Sequence, residues 1–259
     1  MLEERKKKEI EYYDKRAEEW KRKKKWESDF EGFNPLVLSS FKFVYRWLDK
    51  NCKDKLILDY GCGNGIHSIF PAKVGAKKVI GIDLSEKSLE IARERAKREE
   101  LEDKIEFLKM DCEKMEFSDN YFDIIFDGGT FSSLHLNKAF PELARVLKPN
   151  GLLIGIETFG HNPFTNLKRK INEIFGKRTA WAASHIFKEK DLKEAKKYFN
   201  KIEVHYFHLI SWISFPLLKF SFGKFFLKFL EKLDNLLLKI PFLRKYAFKV
   251  VFVFSQPKK

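Results

Sequence analysis

Asp59, Gly61, Gly63 and Gly65 fall within LDYGCGNGIHS, Leu58 to Ser68, so three glycines alternate from two residues after a carboxylate. A turn that leaves a buried strand must reverse tightly and let its backbone approach a ligand, which glycine permits at low cost. A second carboxylate, Asp83, ends the apolar run KVIGID, 18 positions beyond Gly65. It can accept hydrogen bonds from both hydroxyls of a ribose, which serves any adenosyl cofactor. The nicotinamide fingerprint is GxGxxG whereas the spacing here is GxGxG, and Asp83 by itself does not choose among such cofactors. Asp59 is costly at the end of a buried strand unless a donor meets it, and an ammonium group is such a donor. Asp111 and Cys112, in MDCE, end a third apolar run and belong to the same carboxyl edge, where ligands of open α/β sheets sit.

These residues need a scaffold that brings strand ends into line. KLILDY, KVIGID, KIEFLKMD, FDIIFDG and GLLIGIET read as short buried strands. HSIFPAKVGA, SLEIARERAKREE and NKAFPELARVLK between them read as helices, the second capped by Ser85. Such alternation specifies a parallel sheet with right-handed crossovers and helices on both faces. Residues 3–25 or so form a charged helix, and a second covers about Pro35 to Asn51. EKDLKEAKKYF is a helix, KIEVHYF a sixth strand and YAFKVVFVFS a seventh, with a long connection from Leu209 to Lys245 between the last two. The expected fold is therefore α/β and doubly wound, with about seven strands, the last antiparallel, and a helical insertion before it. One domain is expected over 1–259: helices in 1–51 capping the site, a core in 52–158, and acceptor-side insertions in 159–259.

Composition narrows the function classes. The chain has 259 residues, 44% hydrophobic and 34% charged, which is the make-up of a globular protein. Cys52, Cys62 and Cys112 form no CxxC pair and have no histidine at ligand spacing, so neither a disulfide framework nor a metal site is expected. The charged N-terminus lacks the apolar core of a signal peptide, and a cytoplasmic location is expected. The net charge of +14 is uneven, because residues 201–259 carry 11 Lys and Arg against 3 Asp and Glu. KRKKK, Lys21 to Lys25, sits among nearly balanced charges and reads as a solvated helix face.

LDYGCGNG, GIDLS, FLKMDCEKMEFSDNYFDIIF and LARVLKPNGLL, taken in order over residues 55–158, resemble the successive motifs of the class I S-adenosylmethionine-dependent methyltransferases, with their Rossmann-like sheet. The likeness is to the ubiquinone and menaquinone-type small-molecule branch. It implies that Gly61, Cys62, Gly63 and Gly65 wrap the amino-acid and ribose part of the cofactor, with Asp59 near its ammonium. Asp83 would hold the ribose hydroxyls and Leu84 flank the adenine. Asp111 would accept from the adenine amino group and the Cys112 backbone donate to a ring nitrogen. Asp127 and Gly128 would line the methionine side, and Tyr13 would close over the cofactor from the N-terminal helix.

The acceptor is less legible. Many relatives of that branch carry two histidines where this chain has Ser132 and Ser133, so the general base is sought elsewhere, and His161 and His185 are the candidates. From Lys224 onward, Phe225, Phe226, Phe229, Leu230, Leu233, Leu236, Leu237 and Ile240 fall on one helical face opposite lysines, within an amphipathic helix of about 218–240. That pattern suits a packed helix, a lid, or an anionic membrane surface. The leading expectation is methyl transfer to a small-molecule, lipid-like or glycolipid acceptor, with oxygen favoured as the target atom. The alternatives are an RNA or tRNA methyltransferase using the basic C-terminal region, and a non-catalytic cofactor-binding protein. FDGG in place of an NPPY-type motif, and no separate RNA-binding module, argue against nucleic acid as partner.

Overall fold

A computed structural model describes residues 2–22, 37–176 and 178–259. Seven strands form one sheet: β1 (Leu56–Tyr60), β2 (Lys78–Asp83), β3 (Ile105–Lys109), β4 (Phe122–Asp127), β5 (Leu147–Thr158), β6 (Phe199–Phe207) and β7 (Lys249–Pro257). Their order is β3-β2-β1-β4-β5-β7-β6, with β1 to β5 parallel and β7 antiparallel to both its neighbours. The expected topology is thus observed.

The strands are apolar on both faces because both faces are covered. Leu58, Ile80, Ile125 and Leu153 point into one core with Phe140, Leu143 and Phe252. Their chain neighbours Ile57, Val79, Ile124 and Ile154 point into the other, with Leu89, Ala92 and Phe107. The helices are α1 (Glu4–Arg22), α2 (Ser39–Asn51), α3 (Ile69–Lys73), α4 (Glu86–Arg98), α5 (Leu136–Val146), α6 (Pro163–Ile174), α7 (Ala180–Ser184), α8 (Glu189–Ala195), α9 (Ser221–Leu237) and α10 (Pro241–Arg244). Ser85 caps α4 as expected, its side chain accepting from the Ser88 backbone N–H.

The structure departs from the reading in three places. The helix expected over HSIFPAKVGA shrinks to α3, because the preceding residues are spent in the glycine turn. The helix α2 begins at Ser39; Pro35, where it was expected to start, and Lys23 to Lys25 lie outside the described residues. The single apolar face expected on the amphipathic helix is divided. Gly223, Leu227, Leu230 and Asp234 of α9 pack inward, while Phe225, Phe229 and Leu236 remain exposed.

Candidate active site

Parallel strands end together, so Tyr60, Asp83, Lys109, Asp127 and Thr158 define one carboxyl rim. Because β7 runs the other way, its first residue, Lys249, pairs with Thr158 and joins the same rim. Over this rim lies a cavity of about 400 Å³. Gly61–Asn64, Asp83, Leu84, Asp111 and Cys112 wall one side; Gly128–Thr130, Ser133 and His67 wall the other; α1 forms the roof.

The glycine turn is built for backbone approach. Gly61 has φ +68°, and a Cβ there would stand 2.3 Å from Thr130 Oγ1. Gly63 has φ +51° and open space where its Cβ would be, so its bare backbone borders the cavity. The Gly63 N–H donates to Asp83 Oδ2 at 2.9 Å, and Ser85 N–H donates to Oδ1 at 2.8 Å, which fixes the Asp83 carboxyl against the loop. Burial pushes its pKa up.

The helix α1 is fastened to this rim by charge. Lys6 Nζ lies 2.6 Å from Asp111 Oδ2 and 2.8 Å from Glu113 Oε2, and Arg5 reaches Glu113 Oε1 at 2.6 Å. Asp14 accepts from Ser85 Oγ at 2.6 Å. Closure places Glu9, Ile10, Tyr13, Arg16 and Trp20 in the cavity wall. Tyr13, expected to close over the cofactor, is thus placed in the roof of the cavity, on the opposite side from the sheet rim.

Not every expected residue reaches the cavity. Asp59, 3% exposed, and Asp127, fully buried, stand behind its wall. Ser68 Oγ donates to Asp59, whose pKa burial pushes up to about 7, with Asp83 nearby adding to the rise. Asp127 Oδ1 takes the Thr130 N–H at 2.9 Å, while its buried Oδ2 has no partner. Gly65 also sits behind the wall, tight against Ala92 and Phe107. The thiols of Cys62 and Cys112 are pushed far up by burial and remain protonated.

Neither candidate base lines the cavity. His161 faces α8, where its Nε2 takes the Glu189 N–H at 3.2 Å. His185 follows α7 and stacks on Trp181 with ring centroids 3.5 Å apart. Both are drawn aside because the segment after β5 leads outward into helices before the chain returns.

Three functional groups escaped the sequence reading. His67 lies in the cavity wall, bonds the Tyr45 hydroxyl through Nδ1 at 2.8 Å and stacks near Phe41. Burial pushes its pKa down to about 4, so it is neutral at pH 7. Its one signal was its place two residues after the last glycine of the turn. Glu9 is 7% exposed, and neither of its carboxylate oxygens has a hydrogen-bond partner. Nothing in the sequence separates it from the other glutamates of α1. Lys249 reads as an ordinary lysine ahead of a strand until β7 is found to be antiparallel.

Comparison with known proteins agrees with this geometry. Residues 57–151 match the family model described as a methyltransferase domain. A demethylmenaquinone methyltransferase of Bacteroides fragilis is 35% identical over 114 residues, covering 43% of this chain and 46% of that protein. The chain therefore spans about half the length of that relative. A demethylmenaquinone methyltransferase of Lactococcus lactis is 33% identical over 176 residues, covering 64% of this chain and 68% of the relative. The fold is shared with geranyl diphosphate C-methyltransferase from Streptomyces coelicolor, TM-score 0.59 at 16% identity, covering 83% of this chain and 79% of that one. A glycine turn and carboxylates on one sheet rim, the motifs that bear them, and relatives of this extent lead to one assignment: the chain belongs to the class I S-adenosylmethionine-dependent methyltransferases.

Proposed function

We propose that the protein moves a methyl group from S-adenosylmethionine to a small-molecule or lipid-like acceptor, a glycolipid among them, with oxygen as the target atom. The observation that carries the reading is the unpartnered carboxylate of Glu9 in the wall of a cavity that Gly63 borders with bare backbone. A buried carboxylate without a donor is costly, and a cationic cofactor relieves that cost. The residues present therefore fit the group. Gly61, Cys62 and Gly63 would hold its amino-acid and ribose part, Asp83 the ribose, and Leu84, Asp111 and Cys112 the adenine. Asp59, Gly65, Asp127 and Gly128 would support that cradle from behind and beside it.

S-adenosylmethionine, when bound, supplies a methyl group on a positive sulfur, open to in-line displacement. The chain's own task is then mainly alignment and exclusion of water, which the α1 roof serves. His67 is the group we assign to the acceptor. In the tautomer whose Nδ1–H donates to Tyr45, Nε2 is free to accept the proton of an acceptor hydroxyl.

The reach toward lipid rests on the exposed apolar side chains of α6 and α9. Phe164, Leu167, Ile174, Phe222, Phe225 and Phe229 are each at least half exposed, with Lys224 and Lys228 beside the last three. Among the described residues no helix is long and apolar enough to cross a membrane. An amphipathic face of this kind lies on an anionic bilayer.

Incubating the protein with methyl-labelled S-adenosylmethionine and cell extract, then separating organic-soluble, RNA and protein fractions, tests the reading. Label is expected in the organic-soluble or small-molecule fraction. Label in RNA overturns the acceptor class, and a donor that does not bind overturns the reaction.

A further inference from the structure

Beyond the second wall of the cavity lie three cations with only two carboxyls, Glu157 and Asp127, acting on them. Arg169 projects from α6 and is 6% exposed. Its Nη1 donates to Asn166 Oδ1 at 2.6 Å, and Asn166 is itself held by the Gly160 carbonyl at 3.0 Å, so the guanidinium is oriented. Its buried Nη2 has no partner. Arg178 follows α6, donates from Nη2 to Ser132 Oγ at 2.9 Å, and buries Nε without a partner. Lys249 stands at the rim beside Thr158, its ammonium 5.8 Å from the centre of the Phe41 ring. Among the described residues none of the three forms a salt bridge.

They act on one another. Burial brings the pKa of the Lys249 ammonium down to about 8; Glu157 opposes that fall, and Arg169 and Arg178 add to it. Burial, then Arg178, likewise brings the Arg169 guanidinium down to about 10. Of the carboxyls within reach, Glu157 is engaged by backbone N–H groups and Asp127 is engaged through Oδ1 alone. Glu157 accepts the Phe131 N–H at 2.7 Å, and Asp127 accepts from Thr130. Burial pushes both carboxyls up, Glu157 to about 6, so their negative charge falls short of the three cations. Ser133, next to the Ser132 that Arg178 holds, and Gly128, next to Asp127, line the cofactor cavity, which puts the group on its second wall.

We propose that Arg169, Arg178 and Lys249 form the recognition site for a phosphoryl group on the methyl acceptor. Three donors from three separate elements suit a tetrahedral oxyanion, and guanidinium forks match its oxygens. This inference rests on the methyltransferase reading and narrows its acceptor to phosphate esters.

The test uses the whole protein saturated with S-adenosylhomocysteine, titrated by calorimetry with phenyl phosphate, and with phenol as the uncharged control. Phenyl phosphate is expected to bind at least tenfold more tightly than phenol. K249M and R178Q are each expected to weaken it tenfold or more while S-adenosylhomocysteine affinity stays within twofold. R169M is expected to raise the melting temperature of the free protein, since it removes an uncompensated charge, and to abolish the rise that phenyl phosphate produces in the parent. Phenyl phosphate binding no better than phenol, or equally well to a K249M/R178Q double variant, overturns the site. Replacing phenyl phosphate by dihexanoyl phosphatidic acid separates the sources: tenfold tighter binding assigns a lipid headgroup, equal binding a soluble ester, and either supports the site. Failure of S-adenosylhomocysteine to bind the parent removes the methyltransferase reading alone, because phenyl phosphate titrated into the free protein still decides this one.

Discussion

Replacing Glu9 by glutamine separates the cost of a buried charge from its use. In the free protein both Glu9 oxygens are buried without a partner, so the carboxylate carries a desolvation penalty of about 1–3 kcal/mol or more that no hydrogen bond offsets. Glu9→Gln removes the charge at nearly constant volume, and the free protein should gain about 1 kcal/mol, since an amide is cheaper to bury. Cofactor affinity should move the other way. A charge-assisted hydrogen bond contributes about 1.5–3 kcal/mol, so Kd for S-adenosylhomocysteine should rise by roughly 10- to 100-fold. Denaturant melts without ligand and calorimetric titrations measure the two effects on one preparation. Comparing donor and product locates the contact. A carboxylate facing the ammonium loses equally with both, whereas one facing the sulfonium loses more with S-adenosylmethionine. Lower stability combined with unchanged affinity would refute the reasoning, because it would make Glu9 an ordinary structural side chain.

Three further outcomes are expected. Lys6→Met removes one cation from a buried cluster in which Glu113 keeps Arg5, so closure of α1 should weaken by about 2 kcal/mol, short of the full cost of breaking such a pair. Amide exchange over Glu4–Arg22 should then quicken about 30-fold while the sheet is unaffected. Gly61→Ala forces a Cβ onto Thr130 at positive φ; a loss of about 1–3 kcal/mol in stability by denaturant melt, with weaker product binding by calorimetry, is expected. His208, hydrogen-bonded to Ser40 and Ser211, is held neutral by burial with its pKa pushed down to about 3. The unfolded state binds a proton below about pH 6.5 that the native state refuses, so its contribution to stability is lost as pH falls from there. His208→Asn should be the less stable protein at pH 7 by chemical denaturation, with the gap closing by about 1.4 kcal/mol per pH unit below pH 6.

Local pattern decided much of this protein. Buried strands read as apolar runs, Ser85 announced α4, and GxGxG with Asp83 announced a cavity for an adenosyl cofactor, because backbone conformation and period are short-range properties. Tertiary structure decided what surrounds that cavity. Glu9 and Lys6 are two charges among many on α1, and only the docking of that helix buries the first and pairs the second. His161 and His185 carried the right chemistry, yet the outward path of the chain after β5 turned them away. Lys249 lies some 80 residues from Arg169 in the sequence, and it comes under the influence of that guanidinium because β7 inserts antiparallel between β5 and β6 and brings Lys249 beside Thr158, just ahead of α6. Electrostatics acts through space, so the groups that set the charge of the acceptor side are those which the sheet order, and not the order of the chain, brings together.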